Sequence, residues 1–460
     1  AEYSSDLYSR RKLETSHRFT AGVFARWRDD LFATKSGRTL ESMGPLVMGH
    51  RLDSSKSRDA FNIIIYTKGG LVLEMLSRRF KNPAAFPGML RQIVKAAANR
   101  PISTEEFVAA IEKMSSIDLS SFAQQYIYGT GIPTLFYDYS FKKTAQGKWR
   151  VEGTIQQFPA LRNEIRVERS EKGDLDVRRV EVPMGGTDGL GLVVPFQIQL
   201  KGKKAGVVNG RIGLRAGRTP FGLEIDQEPS RFRLDPAGEV LAVSLSQVDR
   251  PKAALLHLGL AQRRLGRKDE AEERLKEALA ENDLGDERLA VNDFTIVMGA
   301  LLGSSSRRRP DQDLIKPGRL LNEEEKERRR ADLDRMARLE LARLYLDQDR
   351  LSEAREMLEQ TAEETGSEPG GKKKRKAVGW AGQDPGLVLL EARLALREQD
   401  YDGVLEKLQA AAEQLAVLKK SLEANTLLAA AAQGAGEDDA REKYSALARA
   451  AGADLTVLDE

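Results

Sequence analysis

The chain has no cysteine. Disulfides, thiolate metal sites and a cysteine nucleophile are therefore excluded within it, and the redox compartment cannot be read. Histidine is almost as scarce: His17, His50 and His257 lie far apart and in different local patterns. There is no H-E-x-x-H, so a zinc site built inside this chain is not expected. A G-x-S-x-G nucleophile elbow and a G-x-x-x-x-G-K-[ST] phosphate loop are also missing. No apolar run approaches the length needed to span a bilayer. Charge of one sign is in short supply, with 73 Lys and Arg against 70 Asp and Glu. A net charge of +3 gives no argument for nucleic acid or an anionic membrane.

What remains is a chain of 460 residues, 41% apolar and 31% charged. That is the composition of a globular protein, and the length suggests about three domains. The first zone, residues 1–133, has helical periodicity. One helix is predicted over Arg58 to Phe80, where Phe61, Ile65, Val72, Met75 and Leu76 recur at helical spacing. Gly69 and Gly70 sit inside it. Each weakens a helix by about 1 kcal/mol, which points to close approach of a neighbouring segment. Ser103-Thr104-Glu105-Glu106 fits a capping box ahead of Phe107, Ile111 and Met114. Gly129 to Pro133 is a breaker cluster.

The second zone, residues 134–247, switches to period two. Phe136, Tyr137 and Phe141 fit one strand, and Trp149, Val151 and Ile155 the next. Phe196, Ile198 and Leu200 alternate with Gln197 and Gln199. Short strands separated by glycine turns predict an antiparallel β-sandwich. The third zone, residues 250–460, returns to helix and carries an internal repeat. Leu258-Gly259-Leu260-Ala261, Leu265-Gly266, Glu270-Ala271 and Ala278-Leu279 match a tetratricopeptide pattern. It recurs at Leu341 to Tyr345 with Leu351 and Ala354, then at Ala392, Leu394, Tyr401, Val404 and Leu408, and more faintly at Ala440 and Tyr444. Small residues let paired helices approach and bulky ones fill the groove between pairs. Linkers are expected at about 303–320 and 366–386. The second holds Lys372-Lys373-Lys374-Arg375-Lys376, with only Trp380 as an aromatic neighbour, and reads as a solvated connection and not a nucleic-acid site.

Two stretches carry chemistry: Gly44-Pro45-Leu46-Val47-Met48-Gly49-His50-Arg51-Leu52, and Tyr66-Thr67-Lys68-Gly69-Gly70-Leu71-Val72-Leu73-Glu74-Met75-Leu76. They resemble the gluzincin zinc aminopeptidases of peptidase family M1, the alanyl aminopeptidase and leukotriene hydrolase type. Those proteins carry Tyr-x-Lys-Gly-(Ala/Gly) on a helix behind the zinc site. Phe86 to Val94, Ser103 to Phe107, Gly131-Ile132-Pro133, Trp149 to Gln157 and Arg233 to Pro236 follow in the family's order. Tyr126 or Tyr128 stands where many members have tryptophan. The resemblance covers roughly residues 1–245.

That resemblance implies a multidomain α+β protein: the helical half of a thermolysin-like catalytic domain, then a β-sandwich, then tetratricopeptide-like helices. It implies Tyr66 as the catalytic residue, donating a hydrogen bond to the oxyanion of the tetrahedral intermediate. Ala1-Glu2-Tyr3 matches the end of the family's Asn-Glu-Gly-x-Ala-x-Tyr run, whose Glu is the third zinc ligand. The zinc ligands are therefore expected upstream of Ala1, together with the natural amino end and any targeting signal, so no compartment is assigned. Zinc is expected in the intact protein, peptides are its substrates, and this chain alone is expected to be inactive. Lys68 reads as snorkelling or pairing structurally, Glu2 and Glu74 as helix-face carboxylates, and His50 as a surface or cleft residue. No substrate-binding residue is assigned. The alternative is a non-catalytic, peptidase-derived scaffold that binds protein partners through its helical repeats.

Overall fold

The computed structural model describes residues 2–12, 16–32, 34–35, 38–52, 58–80, 82–159, 161–169, 175–183, 191–202, 206–215, 217–285, 322–365, 384–414, 418, 421–450, 453 and 455–459. The expected linker at 303–320 and most of that at 366–386, with Lys372 to Lys376 and Trp380, lie outside them, as does Ala1.

The architecture is mixed α+β: helices first, several sheets next, and a helical stretch last. The early helices are α1 (Glu2–Lys12), α2 (Ser16–Phe32), α3 (Arg58–Asn62), α4 (Gly69–Arg78), α5 (Phe86–Ala96), α6 (Thr104–Ser115) and α7 (Ser120–Tyr126). Strands β1 (Thr34–Lys35) and β2 (Arg38–Thr39) form a small ribbon. The later strands are β3 (Thr134–Tyr137), β4 (Ser140–Lys143), β5 (Trp149–Phe158), β6 (Leu161–Arg169), β7 (Leu175–Pro183), β8 (Val193–Leu200), β9 (Val207–Gly213), β10 (Arg218–Ile225), β11 (Pro229–Leu234) and β12 (Val243–Ser246). The chain divides into two compact units. The first draws on Ala1–Leu161 and Pro183–Val248, the second on Arg162–Val182, Asp249–Asn292 and Leu301–Glu460.

In the first unit the predicted helix over Arg58 to Phe80 is continuous but not uniform. A π-helical turn, Ile63–Lys68, joins α3 to α4. It falls on a run of β-branched residues, Ile63, Ile64, Ile65 and Thr67, whose side chains crowd an ordinary helical turn. Gly70 is where α4 meets its neighbours. A Cβ there would lie 2.9 Å from Trp27 Cη2 in α2 and 3.2 Å from Glu2 Cβ in α1. The capping box at Ser103 is present: its hydroxyl accepts from Glu106 N–H at 3.1 Å, and the Glu106 carboxylate accepts from Ser103 N–H at 3.0 Å.

Two sheets follow. One runs β10-β5-β3-β12 with β4 also on β5, and the other runs β11-β8-β9. All pairings in them are antiparallel except β12 with β3. Residues Phe136, Tyr137 and Phe141 do not share one strand. The strand breaks at Asp138, whose carboxylate accepts from Thr154 N–H at 2.7 Å, and pairing with β5 resumes in β4. Along β8 the alternation is as the sequence predicts, with Val194, Phe196, Ile198 and Leu200 buried. Phe232 of β11 sits among rings from both sheets: Phe221 at 4.8 Å, Phe196 at 5.5 Å and Tyr137 edge-on at 5.9 Å. The inner faces of the two sheets thus share one aromatic core.

The second unit consists of helices that pack as consecutive pairs. These are α8 (Pro251–Arg264) with α9 (Lys268–Ala280), α10 (Glu323–Leu346) with α11 (Leu351–Thr365), α12 (Pro385–Arg397) with α13 (Tyr401–Gln414), and α14 (Leu422–Ala435) with α15 (Asp438–Ala450). Gly259 lets the first pair close, since a Cβ there would lie 2.8 Å from Leu275 Cγ. Lys252, buried in α8, stitches that pair to α10. Its ammonium donates to Ala278 O at 2.8 Å and Glu281 O at 2.7 Å at the end of α9, and pairs with Asp334 at 2.6 Å. The β6–β7 hairpin also belongs to this unit: Ile165, Val167, Leu175 and Val177 lie in one buried cluster with Val388, Leu389, Ala392 and Leu396 of α12.

Candidate active site around Tyr66

Tyr66 occupies the π turn between α3 and α4 and is 45% exposed. Its neighbours in the turn face the other way: Ile64, Thr67 and Lys68 are buried. π turns are uncommon and concentrate at functional positions. The ring is held from one side. Phe61 meets it edge-on at 6.2 Å, and Phe61 in turn stacks on His50 at 5.0 Å and 15°.

The turn is anchored from beneath. Lys68, fully buried, donates to Glu41 Oε1 at 2.8 Å and to Gly129 O at 3.1 Å. The other Glu41 oxygen accepts from Gly131 N–H at 2.7 Å. One buried carboxylate therefore ties the π turn to the Gly129–Gly131 breaker segment. Of the two readings of Lys68, snorkelling and structural pairing, it takes the second. Glu41 was not foreseen, because nothing in its local pattern marks it for burial.

Tyr66 borders a pocket of about 250 Å³. Leu46, Ile65, Leu73 and Phe107 give it apolar walls, and Glu2 of α1 and Thr104 of α6 add polar atoms. The capping box fixes where α6 starts and hence where Thr104 and Phe107 stand. Neither residue was singled out for the site from sequence, although the box that positions them was. Tyr3, also in the lining, is buried against Phe86, edge-on at 5.8 Å. Burial pushes its hydroxyl up to about 12, with the Ser77 hydroxyl opposing and the Glu74 carboxylate adding to the rise.

A charged cluster backs α4. Glu74 is buried and accepts from Arg10 at 3.1 Å and from Arg78 at 2.9 Å. Arg78 also reaches Glu239 at 2.7 Å. Burial pushes the Glu239 carboxyl up to about 7, against the pull of Arg78 and with the help of the Asp235 and Glu74 charges.

The other sequence candidates are dispersed. His50 is exposed and stands against Phe61, outside the pocket lining. His257 is buried in α8, where loss of water and the nearby Arg264 and Arg250 pull it down to about 3. The backbone of His17 lies in α2, and its side chain is outside the described residues. Among the described residues, no three His, Asp or Glu side chains group so as to hold a metal ion. Nor, among them, is any helix long and apolar enough to cross a membrane.

No family model matches this chain, and no curated protein does. A solved structure that it resembles is that of Legionella pneumophila aminopeptidase A in complex with aspartic acid. The likeness has a TM-score of 0.30 and 16% identity, over 86% of this chain. The chain spans 41% of the length of that structure. At that score the likeness bears on neither fold nor activity.

Proposed function

We propose that this chain is the C-terminal portion of a zinc metallo-aminopeptidase that removes amino-terminal residues from peptides, with Tyr66 as its oxyanion donor. The resemblance of Tyr66-Thr67-Lys68-Gly69-Gly70 to the gluzincin signature is the origin of the reading. The observation that carries it is the seating of Tyr66. Its ring is half exposed at the edge of a pocket, while the turn beneath it is clamped by a buried ion pair. A phenol is a neutral hydrogen-bond donor, and fixing it in advance spares reorganisation when negative charge develops. Tyr66 would direct its O–H at the carbonyl oxygen of the scissile bond as that carbon becomes tetrahedral.

The described residues do not form a ligand set for zinc. In this reading zinc would be held by residues outside this chain and would supply Lewis acidity. In this reading the early helices are the rear half of a thermolysin-like catalytic domain, and the paired helices of the second unit are tetratricopeptide-like repeats.

The test is Tyr66→Phe in the intact protein, assayed on aminoacyl and peptide substrates. Turnover should fall by about tenfold to a thousandfold with little change in KM. Unchanged turnover would remove Tyr66 from the chemistry. A second reading, a scaffold that has kept the fold and lost the metal, is favoured by the helix pairs of the second unit, which suit partner binding. Zinc analysis of the intact protein separates the two: one equivalent of zinc with peptidase activity supports the enzyme, and a metal-free, inactive protein supports the scaffold. This chain alone should show neither stoichiometric zinc nor peptidase activity.

A further inference from the structure

Phe61 and Tyr66 are five residues apart, yet their rings meet edge-on at 6.2 Å and 90°. An ordinary helix does not allow that. At about 100° per residue, five positions leave two side chains about 140° apart, on nearly opposite faces. The neighbours of Tyr66 would then be Ile63 and Asn62, three and four positions back. Over Ile63–Lys68, however, the helix widens into the π turn, where a hydrogen bond spans five residues: Gly69 N–H donates to Ile64 O. That register brings residues five apart towards one face, and so sets Phe61 against Tyr66.

Phe61 has a support of its own. His50 stacks on it at 5.0 Å and 15°, so one ring is shared between two partners. His50 is exposed, and solvation alone gives it no reason to lie flat on a phenyl ring. The residue before it, Gly49, turns the backbone at φ +54° and ψ −130°, a conformation that glycine adopts without the usual cost. Phe61 also packs on the buried cluster of Leu52, Ala60 and Ile64. The three rings thus form a row, His50–Phe61–Tyr66, whose last member is half exposed at the pocket. An exposed side chain ordinarily hops between rotamers, and a ring against it restricts that freedom.

On the reading of Tyr66 as oxyanion donor, we infer that Phe61 is a positioning residue for the Tyr66 hydroxyl, backed by His50, and that the π turn is the device that sets the two rings on one face. An oxyanion donor works by being in place before charge develops. Whatever fixes its ring therefore acts on turnover and not on affinity.

The test is a double-variant cycle in the intact protein. Phe61→Leu should lower turnover about tenfold with little change in KM. His50→Ala should lower it less, and His50→Phe, which restores a flat ring, should recover most of that loss. In the Tyr66→Phe background neither Phe61→Leu nor His50→Ala should have more than about a twofold further effect, since no hydroxyl remains to be aimed. The same fold-loss in both backgrounds would make Phe61 a packing residue of the Leu52, Ala60 and Ile64 cluster and overturn the inference. Unchanged turnover in Tyr66→Phe would sink the functional reading and the inference with it. Unchanged turnover in Phe61→Leu beside an impaired Tyr66→Phe would sink the positioning role alone. The full chain gives a readout independent of activity. With fluorotyrosine incorporated, the fluorine NMR resonance of Tyr66, identified by its loss in Tyr66→Phe, should shift in Phe61→Leu and in His50→Ala and return in His50→Phe. A resonance unmoved by either loss of a ring would also overturn the inference.

Discussion

Lys68 and Glu41 meet at 2.8 Å with neither side chain open to solvent. A buried pair of this kind contributes little net stability when intact but is expensive to break, because the survivor is left charged in a dry interior. Lys68→Met should therefore cost about 3–5 kcal/mol in denaturant unfolding. Adding Glu41→Leu should restore part of that loss, since no lone charge remains. A double variant as unstable as the sum of the two single ones would show that the pair is not coupled.

Gly70→Ala tests the approach of α1 and α2 to α4. On propensity alone the change should stabilise a helix by about 1 kcal/mol. The added methyl would lie 2.9 Å from the Trp27 ring, which is itself buried and packed edge-on against Phe24 at 5.5 Å. Trp27 has little room to give, so overpacking should win. The expected outcome is a destabilisation of about 1–3 kcal/mol. A stabilised variant would mean that the indole moves without cost.

Local signals were the legible part of this fold. The capping box at Ser103, the alternation along β8 and the close approach at Gly70 each follow from a few adjacent residues and simple sterics. What escaped depends on distance along the chain. Asp176 of β7 pairs with Arg393 of α12 across 217 positions, and nothing near either one announces the other. The period-two zone at 134–247 spans β6 and β7, but a period says nothing about which core a strand joins. The hairpin's aliphatic residues belong to the helical cluster of α12 and not to the sheets on either side of it in sequence. The break at Asp138 was missed for a similar reason: its carboxylate replaces a ladder bond to a strand 16 residues away. Around Tyr66, neither the π turn that presents it nor the carboxylate that clamps that turn was legible.

Glu239 makes stability depend on pH. Its carboxyl rises from the usual 4.5 to about 7, so the folded chain keeps a proton that the unfolded chain releases. The sign follows from linkage. Below about 4.5 the contribution is fully present, between about 4.5 and 7 stability falls as pH rises, and above about 7 the slope vanishes. The loss is about 3 kcal/mol at most, since a tenfold change in proton affinity is worth about 1.4 kcal/mol. Glu239→Gln keeps the shape and removes the titration. Thermal unfolding of the variant should lack this slope, so it should gain stability relative to the parent between pH 5 and pH 8. Parallel pH profiles would show that Arg78, 2.7 Å away, keeps the carboxylate charged in the fold.

Tyr66→Phe separates chemistry from structure at the one residue on which the functional reading turns. The ring is held by Phe61, and the turn beneath it by Lys68 and Glu41, so removing a partly exposed hydroxyl leaves those contacts in place. The unfolding free energy of this chain should change by no more than about 0.5 kcal/mol. In the intact protein the same substitution should reduce turnover by about tenfold to a thousandfold. Lys68→Met should instead lose activity and stability together, because it disturbs the seat of the ring and not the hydroxyl. A Tyr66→Phe protein that lost both in parallel would make the hydroxyl a packing element, and the pocket beside it would have to act through other groups.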